Sequence, residues 1–213
     1  WLAMKRWLPA IAVLVPLALC AVTDVRAQRP PALSGTPDEL AAYDLYNQGK
    51  LITARAKAER VLRSNPDSII ASYVEGCVLR EAEGSLARAM YYLGHAREQY
   101  ETRWGVNRPP GAPWHLHQEI LFEITQLAGE IEEYDYQLEM LEFYDSLYDP
   151  DQTAEHAWPL LHLGRYDEAR NWARRAIALN DAWEHSLGLN AMCAIEADSR
   201  TRLRHELGAT LAR

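Results

Sequence analysis

Seven histidines are the side chains of this 213-residue chain best suited to bind a metal or move a proton near neutral pH. His115 and Glu119 stand four apart, on one face if the segment is helical, which is half of a metal site. His117 points away from that face, because residues two apart do not share one. No second ligand pair stands at a recognisable spacing. His115 and Glu119 are therefore read as a solvated helix start, with no metal expected. Glu130, Glu132 and Glu133 read as a solvated turn rather than an acid–base pair, although carboxylates distant in sequence can still meet in space. No phosphate-cradling glycine loop, no Gly-x-Ser-x-Gly elbow and no His-Glu-x-x-His occurs. Neither catalytic residues nor a cofactor are assigned.

The elements that would position these side chains are helices. Residues 160–181 show the pattern most clearly. A helix end is followed by Gly164-Arg165, and Ala169, Trp172, Ala173, Ala176 and Ile177 then recur as one apolar stripe opposite Arg170, Asn171, Arg174 and Arg175. The alanines matter by size, since helices approach to roughly 8 Å only where facing residues are small. Gly164 suits the positive-φ position that ends a helix.

The unit recurs. Gly49-Lys50 separates a stripe of Ala41, Ala42 and Leu45 from one of Ala54, Ala58, Val61 and Leu62, and Asn65-Pro66 closes the pair. Gly84-Ser85 separates Tyr73, Gly76 and Cys77 from Ala89, Leu93 and Ala96. Gly129-Glu130 is expected to separate Ile120, Leu121 and Ile124 from Tyr134, Leu138 and Leu141. The glycines are spaced by 35, 45 and 35 residues. The long step holds residues 104–113, where three prolines and two glycines in ten residues exclude a helix. Ala54, Ala89 and Ala169 follow their glycines by five, but the third unit has Tyr134 there and should pack differently. Beyond Asp181 a helix to Glu196, a turn at Ala197–Ser199 and a helix from Thr201 to Ala212 are expected as a degenerate fifth pair.

The Gly-x-Tyr-Asp-x-Ala turn at 164–169 and the Ala-x-x-Ala-x-x-Leu spacing at 173–179 resemble the tetratricopeptide repeat, whose unit is about 34 residues. The resemblance implies an all-α, right-handed solenoid of antiparallel helix pairs over residues 38–213, with the loop 104–113 inserted. It also implies a non-enzymatic protein–protein interaction or assembly scaffold, lined on its concave side by the first helix of each pair. The family's ligand-contacting positions lie two, three, six and ten residues before the turn glycine. They fall on Glu39, Tyr43, Tyr46 and Asn47 in the first unit, and on Val74, Val78, Glu81 and Ala82 in the second. In the third they are Glu119, Glu123, Gln126 and Leu127, and in the fourth Ala154, Trp158, Leu161 and His162. The family's carboxylate clamp needs Lys, Asn and Arg, and only Asn47 matches, so that specificity does not transfer. The partner-binding set is Glu39, Tyr43, Tyr46, Asn47, Glu81, Glu119, Glu123, Trp158 and His162, suited to a peptide with apolar and basic side chains. A small-ligand or glycan binder using the Tyr and Trp groove is the alternative, and a hydrolase or metal enzyme a third. Trp104 and Trp114, with Arg103 and Arg108, form a second possible contact.

The first 27 residues read as a signal peptide. Lys5-Arg6 precedes an apolar run from Trp7 to Val22, and Val25-Arg26-Ala27 supplies a small −3/−1 pair. The run is short for a membrane span of about 20 residues, though an uncleaved anchor stays open. Residues 28–37 read as a leader with no fold of its own. Export to a periplasm or cell surface is expected. The total charge of −8, less the +2 of residues 1–27, leaves −10 for the rest, which argues against a nucleic-acid partner. Cys77 and Cys193 lie about three units apart, each adding on the order of 10 Å, too far for a disulfide. They are expected as unpaired, half-buried thiols.

Overall fold

The computed structural model describes residues 32–107, 111–148, 154–179 and 182–211. The expected signal peptide lies outside them. Nine helices run through the described residues, and no strand. They are α1 (Pro37–Asn47), α2 (Leu51–Ser64), α3 (Ile69–Glu83), α4 (Leu86–Trp104), α5 (Trp114–Glu130), α6 (Tyr134–Leu147), α7 (Ala157–His162), α8 (Tyr166–Ala178) and α9 (Ala182–Leu211). Sequential neighbours pack on one another throughout, so the fold is an all-α stack of antiparallel pairs. The odd-numbered helices also touch across units, α1 on α3, α3 on α5 and α7 on α9, whereas the even-numbered ones have no comparable contact among the described residues. The stack therefore bends toward the odd helices, and their faces form its inner side.

Each pair is built the same way. A residue at positive φ ends the first helix, at Gly49 (71°), Gly84 (61°) and Gly164 (73°). The next residue, Lys50, Ser85 or Arg165, opens the second helix with φ near −85° and ψ near 60°. Its carbonyl accepts the N–H of Ala54, Ala89 or Ala169, each of them fully buried.

The third unit obeys this rule in a different register from the expected one. Gly129 lies inside α5, and the positive φ belongs to Glu132 (62°). Glu133 N–H bonds to Ala128 O as Lys50 bonds to Leu45 O and Arg165 to Leu160 O. The residue five after the bend is then Gln137, whose N–H closes onto Glu133 O and which is 3 % exposed. A glutamine fills the slot that alanine fills in the other three units, and Gly129 makes room for it. A Cβ at position 129 would sit 2.7 Å from Gln137 Nε2.

Two further expectations are corrected. The terminal segment beyond Asp181 is one helix, α9, with no turn at Ala197–Ser199. Its apparent turn residues are held from α8 or by their own helix. Tyr166 Oη donates to Asp198, Arg170 Nη2 donates to Ser199 Oγ at 3.0 Å, and Thr201 Oγ1 donates to Ala197 O at 3.0 Å. The thiols are unpaired, but neither is half-buried: Cys77 is buried and Cys193 exposed. Of the leader, Leu33 packs on the core and Thr36 caps α1 in a reciprocal capping box with Glu39.

The core divides. One apolar cluster runs from α1 to the far end of α6, and a second joins Leu138 of α6 to α7, α8 and α9. The line of inner contacts is broken at the same place, since α5 and α7 do not meet as α3 and α5 do.

The shifted bend is testable. A non-glycine residue in the left-handed region costs about 1 kcal/mol or more, so Glu132→Gly should raise the unfolding free energy by about that much and the midpoint with it. If the bend lay at Gly129, the same change would only loosen a helix start and lower the midpoint. Close packing gives a second test. A Cβ on Gly76 would meet Leu93 Cγ at 2.7 Å and Leu93 N at 3.2 Å, while one on Gly94 would meet nothing within 4 Å. In thermal melts, Gly76→Ala should destabilise by about 1–3 kcal/mol and Gly94→Ala should stabilise by about 0.5–1 kcal/mol.

Candidate functional site

Tyrosine, glutamate and arginine from α1, α3 and α5 meet along the inner side. Tyr43 Oη donates to both carboxylate oxygens of Glu119, at 2.9 and 2.8 Å. His115 Nε2 lies 2.8 Å from Glu119 Oε1, so the pair singled out for chemistry is one end of a polar chain across two units. Tyr46 Oη donates to Glu81 Oε1 at 2.5 Å. Arg80 donates to Glu123 through Nη1, and to Glu130 Oε1 through Nε and Nη2 at 2.9 and 2.7 Å. Between these contacts lies Tyr73, its ring centroid 6.1 Å from that of Tyr43 and 6.0 Å from that of Tyr46.

The electrostatics are those of a part-buried acidic wall. Burial, then the Glu119 carboxylate, push the Tyr43 hydroxyl well above its ordinary range. Burial also raises the Glu123 carboxyl, and Arg80 opposes this without cancelling it. Cys77, beside Tyr46 and Tyr73, is raised chiefly by burial, so its thiol stays protonated and lacks the thiolate character of a nucleophile. The wall holds four carboxylates, Glu81, Glu119, Glu123 and Glu130, and Arg80 pairs with the last two.

Of the residues expected to bind a partner, Tyr43, Tyr46, Asn47, Glu81, Glu119 and Glu123 lie together in this wall, with Asn47 bonded to Tyr43. Glu39 lies apart. Its carboxylate accepts from Thr36 N at 2.7 Å and from the Ser68 hydroxyl, and burial is outweighed by these bonds, which hold the carboxyl below its usual range. Leu127 is fully buried.

Trp158 and His162 occupy the other end. Their rings are 4.8 Å apart, and His162 stacks on Tyr134 at 4.3 Å. Trp158 is 46 % exposed and borders a pocket of about 390 Å³ between α5, α6, α7 and α9, where the inner line of contacts breaks. Gln126, Glu130, Gln137, Glu155 and Asn190 complete its polar lining. Sequence reasoning missed Gln137 because it was counted from Gly129. Arg80 stands four before the bend, outside the family's contact positions, and Glu130, expected in a solvated turn, is its partner. The loop tryptophans pack inward, Trp104 against Tyr100 at 4.9 Å and Trp114 against Tyr148 at 6.4 Å. Arg108 lies outside the described residues.

His117 is buried outside this site. Its ring stacks on Tyr100 at 4.4 Å, with Nδ1 2.6 Å from Tyr148 Oη and Nε2 3.3 Å from Glu101 Oε1. Burial lowers its pKa, Glu101 opposes, and the ring is neutral at pH 7. The described residues hold no group of three or more His, Cys, Asp or Glu placed to bind a metal ion. None of their helices is long and apolar enough to cross a membrane.

No protein-family model and no curated protein matches this chain. Among solved structures it is similar to a thermophilic TPR protein of Thermus thermophilus, with 18 % identity, 73 % of this chain and 97 % of that chain covered, and a TM-score of 0.40. The TPR-like pairing described above stands on this chain's own contacts.

The buried imidazole makes stability pH-dependent. His117 is lowered from 6.5 in the fold. Below that value the unfolded chain therefore binds the extra proton first, and stability falls as the pH drops. The contribution is at most about 1.4 kcal/mol per pH unit. Urea midpoints measured between about pH 7.5 and 5.5 should fall for the parent and fall less steeply for His117→Asn.

Proposed function

We propose that the chain is a non-enzymatic interaction scaffold that takes a segment of a partner protein along the inner side of α1, α3, α5 and α7. The observation that carries this reading is the wall of Tyr43, Tyr46 and Tyr73 interleaved with Glu81, Glu119, Glu123 and Glu130. Tyrosine supplies broad contact area at low entropic cost, and an excess of carboxylate selects and steers cationic partners. A segment carrying Lys or Arg between apolar residues complements both features. The inner side also runs across successive units, which suits an extended ligand.

We further propose that the protein works outside the cytoplasm, as part of an assembly of the cell envelope. The basic cap at Lys5-Arg6, the apolar run from Trp7 to Val22 and the small residues before Gln28 support export.

A synthetic peptide alternating Arg and Leu should bind the chain and protect α1, α3 and α5 from hydrogen exchange. Binding should weaken at least about tenfold between roughly 0.05 and 0.5 M salt. Glu81→Gln with Glu123→Gln should weaken it by a similar factor, and the Asp counterpart of the peptide should not bind. Binding that ignores both salt and the double substitution would reject this face.

A further inference from the structure

We propose that the pocket between α5, α6, α7 and α9 is a recognition site for a single guanidinium or ammonium group, held by Gln137, Glu155 and the face of Trp158. The inference rests on the scaffold reading only where that group is a side chain of a protein partner.

Three observations converge. The first is Gln137, which occupies the slot that Ala54, Ala89 and Ala169 occupy in the other units. It lines the pocket at 3 % exposure, and its Oε1 has no hydrogen-bond partner. A buried acceptor without a donor is destabilising. An alanine would avoid that cost, so a ligand donor gives the glutamine a use. The second is Glu155. Burial raises its carboxyl, the Gln126 amide opposes this, and no cation among the described residues enters the balance. Nearby Glu130 already holds Arg80, both bonds falling on Oε1. The third is Trp158. Its half-exposed ring is fixed edge to face by His162, which Tyr134 stacks beneath. An acceptor, a carboxylate with no counter-charge among the described residues and a fixed aromatic face together select a cation with several N–H donors. A neutral sugar would use the ring but gain nothing from the charge.

The test titrates the full chain with arginine amide and with citrulline amide, its uncharged near-isostere, while tryptophan fluorescence is followed. Arginine amide should give a saturable change that is absent in Trp158→Phe and at least about tenfold weaker in Glu155→Gln and in Gln137→Leu. Circular-dichroism melts should show each variant folded. Equal responses to the two amides, or a response that survives Trp158→Phe, would overturn the site, as would a response to neutral oligosaccharides alone. The alternating Arg–Leu peptide separates this inference from the scaffold reading. If arginine amide binds and the peptide does not, the pocket stands as a small-molecule site and the scaffold reading fails. If the peptide binds and arginine amide gives no saturable change, the scaffold stands and the pocket falls.

Discussion

The close approach of two paired helices at one small side chain is the constraint on which the structure depends. A bend at positive φ reverses the chain, the next residue opens the second helix, and the residue five after the bend lands against the first helix. With alanine in that slot the pair closes tightly, as at Ala54, Ala89 and Ala169, each without exposed surface. Such a pair cannot hide its remaining apolar stripe alone, so it must stack on the next. Stacking leaves the odd helices in contact along one side, and the polar residues of that side are brought together as a consequence. Tyr43 reaches Glu119 from a position 76 residues away because two bends have turned the chain back on itself.

The same constraint explains the one irregular unit. Gln137 is too large for the slot, and the structure accommodates it with Gly129 on the facing helix instead of by opening the bend. The inner contacts then lapse between α5 and α7, the apolar core divides near Leu138, and a cavity appears at the join. The break in the repeat and the unpartnered acceptor of Gln137 are found in one place. Along the wall of α1, α3 and α5, by contrast, hydroxyls, carboxylates and the guanidinium pair with one another.

Much of this was legible in the sequence. Three of the four bends follow glycines, and the alanines that follow them fix the pairing. The third bend was not legible, because a glycine is the stronger sign of positive φ and Gly129 offered one three residues early. That glycine serves close approach, and a glutamate takes the strained conformation. The three-residue error hid Gln137 and misread Tyr134, which the structure uses as a stacking partner for His162. The uninterrupted α9 was illegible for another reason. Ala197-Asp-Ser looks like a turn on local propensity, and bonds from Tyr166 and Arg170 on the preceding helix override it. Glu39 shows the opposite case, in which a residue chosen for its place on a face is claimed by a helix cap.

A divided interior also bears on how the chain comes apart. Cooperativity in a stacked array is passed from neighbour to neighbour through shared apolar contacts, and here that transmission is thinnest where α6 hands over from one cluster to the other. The molecule is then closer to two coupled foldons than to one all-or-none body. Whatever occupies the seam cross-links them, so occupancy would be felt as a rise in the cooperativity of unfolding as well as in its midpoint.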